Sequence, residues 1–351
     1  MEETGSSGVA STASSLLRAL SDDDSLVSGL GVGTDTRRAL FSAMVRLRSF
    51  DDECVALQRE GTLPSFFSSR LQEGVICGAA QALAPGDAIF PTPREYGVAL
   101  QRGVHPEQLA AQILGRQWAG GAGGPGDAGA GGKGRQAPCY VSFRAANVAS
   151  VSGIIGAHLP HAVGYAWAAR TRKEARVVVA FFGDGATSSG EFHNALNFAG
   201  VMKAPVLFVC RNNGVALSTP VAKQTASETL AEKAHAYGIP GLVVDGTDAI
   251  AVYQAVHTWT EAARHGGGAM LIEARTDILP DRDPIARLER HLLKDNLLSE
   301  DAARAIDEEA RAEALRALVF ARALAAPERA SLFDDVFAAV PTHLANQRDH
   351  A

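Results

Sequence analysis

From residue 150 onward the chain alternates short apolar runs with segments of helical periodicity, and this pattern limits its fold most sharply. The runs 177–182, 206–210, 242–245 and 269–274 read as strands. The segments 157–171, 228–237 and 249–264 read as helices, and another helix carries Phe192, Leu196 and Ala199 behind a Ser188 or Ser189 cap. Strands separated by helices build a parallel sheet covered on both faces. The fold class is therefore α/β, a doubly wound, mostly parallel sheet with helices on both faces. Ligands of such sheets gather at the carboxyl ends of the strands. Two turns fall there: Gly183-Asp184-Gly185 after the first run, and Arg211-Asn212-Asn213-Gly214 after the second.

The two turns suit a magnesium-bound diphosphate. Mg²⁺ takes an octahedron of hard oxygens, few from protein and the rest from phosphate and water. Asp184 supplies a carboxylate oxygen and Asn213 an amide oxygen, while the flanking glycines let backbone approach phosphate without a Cβ between. A dinucleotide fingerprint fails, because its third glycine would fall on Ser188. No Gly-x4-Gly-Lys-Ser/Thr phosphate loop is present either. The spacing of Gly-Asp-Gly and Asn-Asn resembles the thiamine diphosphate signature, so the fold expected is a thiamine diphosphate-binding one.

Composition narrows the partners. The net charge of −6 provides no electrostatic footprint for nucleic acid. No apolar run nears the roughly eighteen residues that span a bilayer, and no membrane partner is expected. Met1-Glu2-Glu3-Thr4 opens without a basic region or apolar core, which argues against a secretion signal, and a cytoplasmic location is expected. Cys54, Cys77, Cys139 and Cys210 lie far apart with no Cys-x-x-Cys pair, so free thiols are expected. Residues 1–30, rich in Ser, Gly, Thr and Asp, read as a mobile N-terminal arm. Residues 31–351 read as one domain, with a Gly-rich insertion over 119–134 and a C-terminal helical tail over 299–324. Within it, helices are expected over 36–60, 73–83 and 106–118.

Longer segments carry a family resemblance. Gly132-Lys133-Gly134-Arg135-Gln136-Ala137-Pro138, the run from Asn212 to Pro220, Val244-Asp245-Gly246-Thr247-Asp248 and Leu332-Phe333-Asp334-Asp335-Val336 are similar to segments of one family. That family is the alpha subunits of the decarboxylating dehydrogenase component of 2-oxo acid dehydrogenase complexes, and the likeness is greatest to branched-chain 2-oxo acid members. The resemblance implies thiamine diphosphate and Mg²⁺ as cofactors, with Asp184, Asn213 and the Val215 carbonyl as metal ligands. It implies Gly185 and Ala186 amides and the Arg94 and Arg211 guanidiniums on the diphosphate, and Gly153 and Ile155 against the aminopyrimidine. It implies a beta subunit that carries the activating glutamate, an α₂β₂ heterotetramer, a 2-oxo acid substrate and acyl transfer to a lipoyl-bearing component. No catalytic residue is assigned to this chain.

The chain departs from that family in several places. Pro93 stands where a tyrosine precedes the phosphate-binding arginine, and Tyr140 where a histidine follows the Gly-Lys-Gly-Arg-Gln segment. His158 and Ala157 replace residues of a potassium site. The chain passes directly from Arg275-Thr276-Asp277-Ile278 to Pro280-Asp281-Arg282, without the His-containing loop of the family. His291 lies further on, in a helix, and does not replace that histidine. Two alternatives follow: a pyruvate-specific member, or a cofactor-binding scaffold of weakened catalysis. Phe66 and Phe67 read equally as an apolar pocket or as core.

Overall fold

The computed structural model describes residues 16–27, 32–118, 136–276, 282–333, 337–348 and 350. Strand β1 (Leu16–Leu17) precedes the long helix α1 (Thr34–Arg59) and the shorter α2 (Glu73–Gln81). Then come β2 (Ala88–Phe90), a 3₁₀ turn over Pro93–Gly97, α3 (Val98–Gln101) and α4 (Pro106–Ile113). The alternating series runs α5 (His158–Thr171), β3 (Val178–Gly183), α6 (Gly190–Met202) and β4 (Val206–Asn212). The small hairpin of β5 (Val215–Ala216) and β6 (Thr219–Pro220) leads to β7 (Gly241–Asp245), α7 (Ala249–Ala262) and β8 (Met270–Arg275). Helices α8 (Pro284–Lys294), α9 (Glu300–Ala323) and α10 (Thr342–Arg348) follow.

The main sheet has the order β1-β7-β8-β4-β3-β2, and every pairing in it is parallel. The α/β class read from the alternating pattern is borne out. Successive strand residues feed opposite cores, as a two-residue period requires. Val178, Ala180 and Phe182 pack with Leu159 and Val163 of α5 and Phe192 and Leu196 of α6. Val179, Phe181, Leu207 and Val209 pack on the other side, with residues of α1, α2, α7 and α9. Both faces are dry, so the strands read as continuous apolar runs. Ser189 caps α6, its Oγ accepting from the Phe192 amide at 3.2 Å. Among the described residues no helix is long and apolar enough to cross a membrane.

Several elements differ from the sequence reading. The helix expected over 106–118 stops at Ile113, and the one expected over 228–237 is a 3₁₀ segment, Ala231–Tyr237. Glu273 Oε2 accepts the Ala231 amide at 3.0 Å, which sets where that segment begins. The expected mobile arm needs correction for residues 16–27. Leu16 and Leu17 pair with Val243 and Val244 of β7, and Ala19 and Leu20 are buried. The reason is Asp248, itself buried, whose Oδ2 accepts the amides of Ala19 at 2.8 Å and Leu20 at 2.6 Å. The rest of the arm over 1–15 and 28–30, and the Gly-rich stretch over 119–134, lie outside the described residues.

The same carboxylate caps α7, because Asp248 Oδ1 accepts the Ala251 amide at 3.0 Å. Asp248→Ala leaves three buried amide donors without an acceptor, and is expected to lower stability by about 2–4 kcal/mol. Urea denaturation of the full chain measures this. A loss below about 0.5 kcal/mol, the size of an ordinary surface substitution, refutes the double role.

Candidate active site

The parallel register sets the site. Gly183 pairs with Arg211, so the turns that leave β3 and β4 emerge side by side. The first Asn of the pair faces away: Asn212 Nδ2 donates to Glu273 Oε1 at 2.7 Å on β8. Its Oδ1 accepts the amide of Gly214 at 2.9 Å, and Gly214 has φ +84, which glycine adopts without strain. Asn213 is thereby turned toward Asp184.

A terminal atom of the Asn213 carboxamide lies 2.8 Å from the Val215 carbonyl oxygen and 3.1 Å from Asp184 Oδ1. An amide nitrogen there donates to both. An amide oxygen there meets two further oxygens, and its only donor is the Val215 amide at 3.3 Å. Neighbouring ligands on a magnesium octahedron, with bonds of about 2.1 Å, sit about 3.0 Å apart. The two separations bracket that value, so the donor set of one carboxylate, one amide and one carbonyl fits a hard divalent cation. Among the described residues no group of three His, Cys, Asp or Glu could hold a metal, and this set is of a different make.

The loop around Asp184 is fixed by packing. A Cβ on Gly185 would stand 2.6 Å from the Ala216 methyl, so only glycine lets the β5–β6 hairpin seat there. The amides of Gly185 and Ala186 fall in the first turn of the 3₁₀ segment Asp184–Ser188, where amides lack an intrahelical acceptor. Lys233 Nζ holds Thr187 Oγ1 at 3.1 Å, and burial lowers its pKa.

Arg211 is buried at the end of β4. Its Nε pairs with Glu95, one amino group donates to Gln72 Oε1, and the other reaches Thr92 Oγ1 at 3.3 Å. Glu95 Oε2 also accepts from the Thr92 amide at 2.7 Å and hydroxyl at 2.6 Å. Arg211 was expected on the diphosphate; the structure engages each of its guanidinium nitrogens within the chain. Arg94 is different. One amino group donates to Ser68 O at 2.6 Å, and its other nitrogens have no partner among the described residues. Burial, followed by the Arg211 charge, lowers its pKa. Asp51 holds the Ser68 segment by accepting from Ser68 Oγ and the Ser69 amide, each at 2.6 Å, and from the Tyr96 hydroxyl at 2.5 Å.

Gly153 lies against Tyr140, whose hydroxyl would be 3.3 Å from a Cβ at 153. Ile155 projects outward, 67% exposed, beside Ile154 at 68%. His158 donates from Nε2 to Phe181 O at 2.6 Å, and burial lowers its pKa, so it serves as a neutral structural group. His291 is buried on α8 against Asp24 O at 3.0 Å and Arg37 at 3.0 Å, clear of the site as expected. Phe66 is core, its ring tilted against Tyr96 at 5.4 Å between centroids, and Phe67 is partly exposed. All four cysteines are buried free thiols; burial pushes Cys139 up to about 12 and the others well above the ordinary thiol value.

Two features escaped the sequence reading. Thr92-Pro93-Arg94-Glu95 forms a capping box around the arginine, and its Thr-x-x-Glu spacing is a readable signal. Gln224, which donates to Asp184 Oδ2 at 2.8 Å, belongs to no motif.

The chain belongs to the dehydrogenase E1 component family, which it matches over residues 42–277. The resemblance drawn from the motifs is borne out at that level. Its curated relatives are more particular. It is 34% identical to the 2-oxoisovalerate dehydrogenase subunit alpha 2, mitochondrial, of Arabidopsis thaliana, over 94% of this chain and 73% of that one. It is 41% identical to the 3-methyl-2-oxobutanoate dehydrogenase subunit alpha of Mycobacterium tuberculosis, over 69% of this chain and 60% of that one. With the human 2-oxoisovalerate dehydrogenase subunit alpha, mitochondrial, identity is 30%, over 88% and 72%.

Glu95→Gln leaves the buried Arg211 charge without its carboxylate and is expected to lose about 3–5 kcal/mol. Adding Arg211→Met should recover most of that loss in denaturant unfolding. A double variant no more stable than Glu95→Gln alone refutes the ion pair as the cause.

Proposed function

We propose that this chain is the alpha subunit of a branched-chain 2-oxo acid dehydrogenase, holding thiamine diphosphate through Mg²⁺ where β3 and β4 end. The observation that carries this reading is the approach of the Asn213 carboxamide to both Asp184 Oδ1 and the Val215 carbonyl. The family membership and the names of the relatives support the substrate class. Bound thiamine diphosphate supplies the electron sink that lets a 2-oxo acid lose carbon dioxide.

The residues of this chain bind and orient. Asp184, Asn213 and the Val215 carbonyl would hold the metal, whose charge would offset that of the diphosphate. The amides of Gly185 and Ala186 and the start of α6 face the phosphates with positive dipole. Arg94 brings a half-buried guanidinium with unused donors, and an anion there relieves its repulsion with Arg211. Arg211, held by Glu95, adds fixed positive charge behind it. Gly153 and Ile155 flank the aminopyrimidine, and Tyr140 backs Gly153.

The site is completed by a beta subunit that carries the activating glutamate, in an α₂β₂ arrangement, and the acyl group passes to a lipoyl-bearing component. The apolar rim supports this: Ile154, Ile155 and Leu217 at the tip of the β5–β6 hairpin are all exposed.

In the complex of this chain with its beta subunit, Asp184→Ala is expected to weaken Mg²⁺-dependent thiamine diphosphate binding by about a hundredfold or more, roughly 2.8 kcal/mol. Titration calorimetry reads this, and an unchanged affinity rejects Asp184 as a metal ligand. The isolated chain, supplied with thiamine diphosphate and Mg²⁺, is expected to release no carbon dioxide from 3-methyl-2-oxobutanoate, whereas the complex does. Turnover by the chain alone overturns the shared site, and inactivity of a cofactor-loaded complex favours the scaffold reading.

A further inference from the structure

At the opposite end of the sheet, the segments that enter β3, β4 and β8 enclose a cleft of about 230 Å³. Its lining includes Arg170, Lys173, Arg176, Lys203 and Arg264, against a single carboxylate, Glu174. Part of that charge is already matched. Arg264 is held by the buried Asp87, at 2.8 Å to Oδ1 and 2.5 Å to Oδ2, by Glu261 Oε1 at 3.0 Å, and by Ala175 O at 2.9 Å. Arg176 pairs with Glu174 at 3.7 Å and donates to the Tyr165 hydroxyl. Arg170 spends one amino group on the carbonyls of Met202 and Lys203. Lys173 and Lys203 have no ion-pair partner among the described residues, and no carboxylate balances Arg170.

The backbone adds a second observation. Lys203 ends α6 at φ +47, and Lys173 lies just past the end of α5 at φ +58. Helix ends with this left-handed turn usually carry glycine there. Here both carry lysine, and both side chains line the same concavity. Offsetting the negative ends of α5 and α6 accounts for the sign of the charge. It does not account for the convergence on one cleft of Lys173, Lys203 and Arg170, none of them paired with a carboxylate among the described residues.

We propose that this cleft binds a phosphate group, either inorganic phosphate or the monoester of a small metabolite. Such a group bears nearly two negative charges at neutral pH and several strong acceptor oxygens, which matches Lys173, Lys203 and the open side of Arg170. The site is separate from the cofactor end. β3 spans 6 residues from the cleft to Gly183, about 20 Å at the usual strand rise.

The test uses the full chain, with inorganic phosphate or adenosine monophosphate added at constant ionic strength. Thermal unfolding is followed for the wild type, for Asp184→Ala, and for the double variant Lys173→Ala with Lys203→Ala. Both lysines are exposed, so their removal leaves the core intact. The midpoint is expected to rise in the wild type and equally in Asp184→Ala, with affinity at least tenfold weaker in the double variant and regained when both lysines become arginine. A larger rise with the nucleotide assigns the ligand as a phosphorylated metabolite; equal rises assign phosphate itself. No rise, or a rise of the same size in the double lysine variant, overturns the proposal, since general salt stabilisation would survive that change. A rise lost in Asp184→Ala overturns it too, by placing the anion at the cofactor end.

Discussion

Val178 pairs with Val206 and Gly183 with Arg211, and a shift of that register by one residue would undo both ends of the molecule. In the core it would exchange small and large neighbours, bringing Ala180 onto the face now filled by Phe181. Phe182 would lose its rings at 5.6 Å and 6.5 Å, those of Phe192 and Phe208. Close-packed interiors do not absorb such a change of volume. At the carboxyl ends, Asp184 would no longer stand beside the Asn pair, and the oxygens it shares with Asn213 and Val215 would part. Burial in two cores thus positions polar groups that belong to neither.

Around this point the charges are arranged in layers. Innermost is Arg211, paired with Glu95 and steadied by Gln72 and Thr92. Further out is Arg94, held by one carbonyl and still carrying free donors. Breaking a buried ion pair is costly, whereas a half-buried cation with spare donors gains when an anion arrives. The inner pair is thus engaged within the chain, and the outer arginine keeps donors to spare. Asp51 supports the outer level, because it orders the Ser68 carbonyl on which Arg94 rests.

The legible parts of the sequence were those in which burial and period agree. The runs that became β3, β4, β7 and β8 announce themselves as apolar strands, and the meeting of Asp184 with Asn213 is legible because they follow two of them. β1 has 2 residues and β2 has 3, too few for any period to show. The packing of residues 16–27 rests on Asp248, more than two hundred residues away, which no local pattern reveals. The pairing of Arg211 with Glu95 joins a strand end to a distant turn, and no local pattern shows it. Gln224 reaches Asp184 only through the fold of its loop. What escaped was long-range pairing of polar groups, and composition carries no trace of it.

The four thiols sit in both halves of the interior, Cys54, Cys77 and Cys139 in one core and Cys210 in the other. Burial keeps each protonated, and only the thiolate is a good nucleophile. A thiol reagent therefore modifies this chain only through its opened states, in proportion to how often each thiol is exposed where reclosing is fast. Because the cysteines are divided between the two faces of the sheet, the order in which they react tells which layer of helices lifts away first.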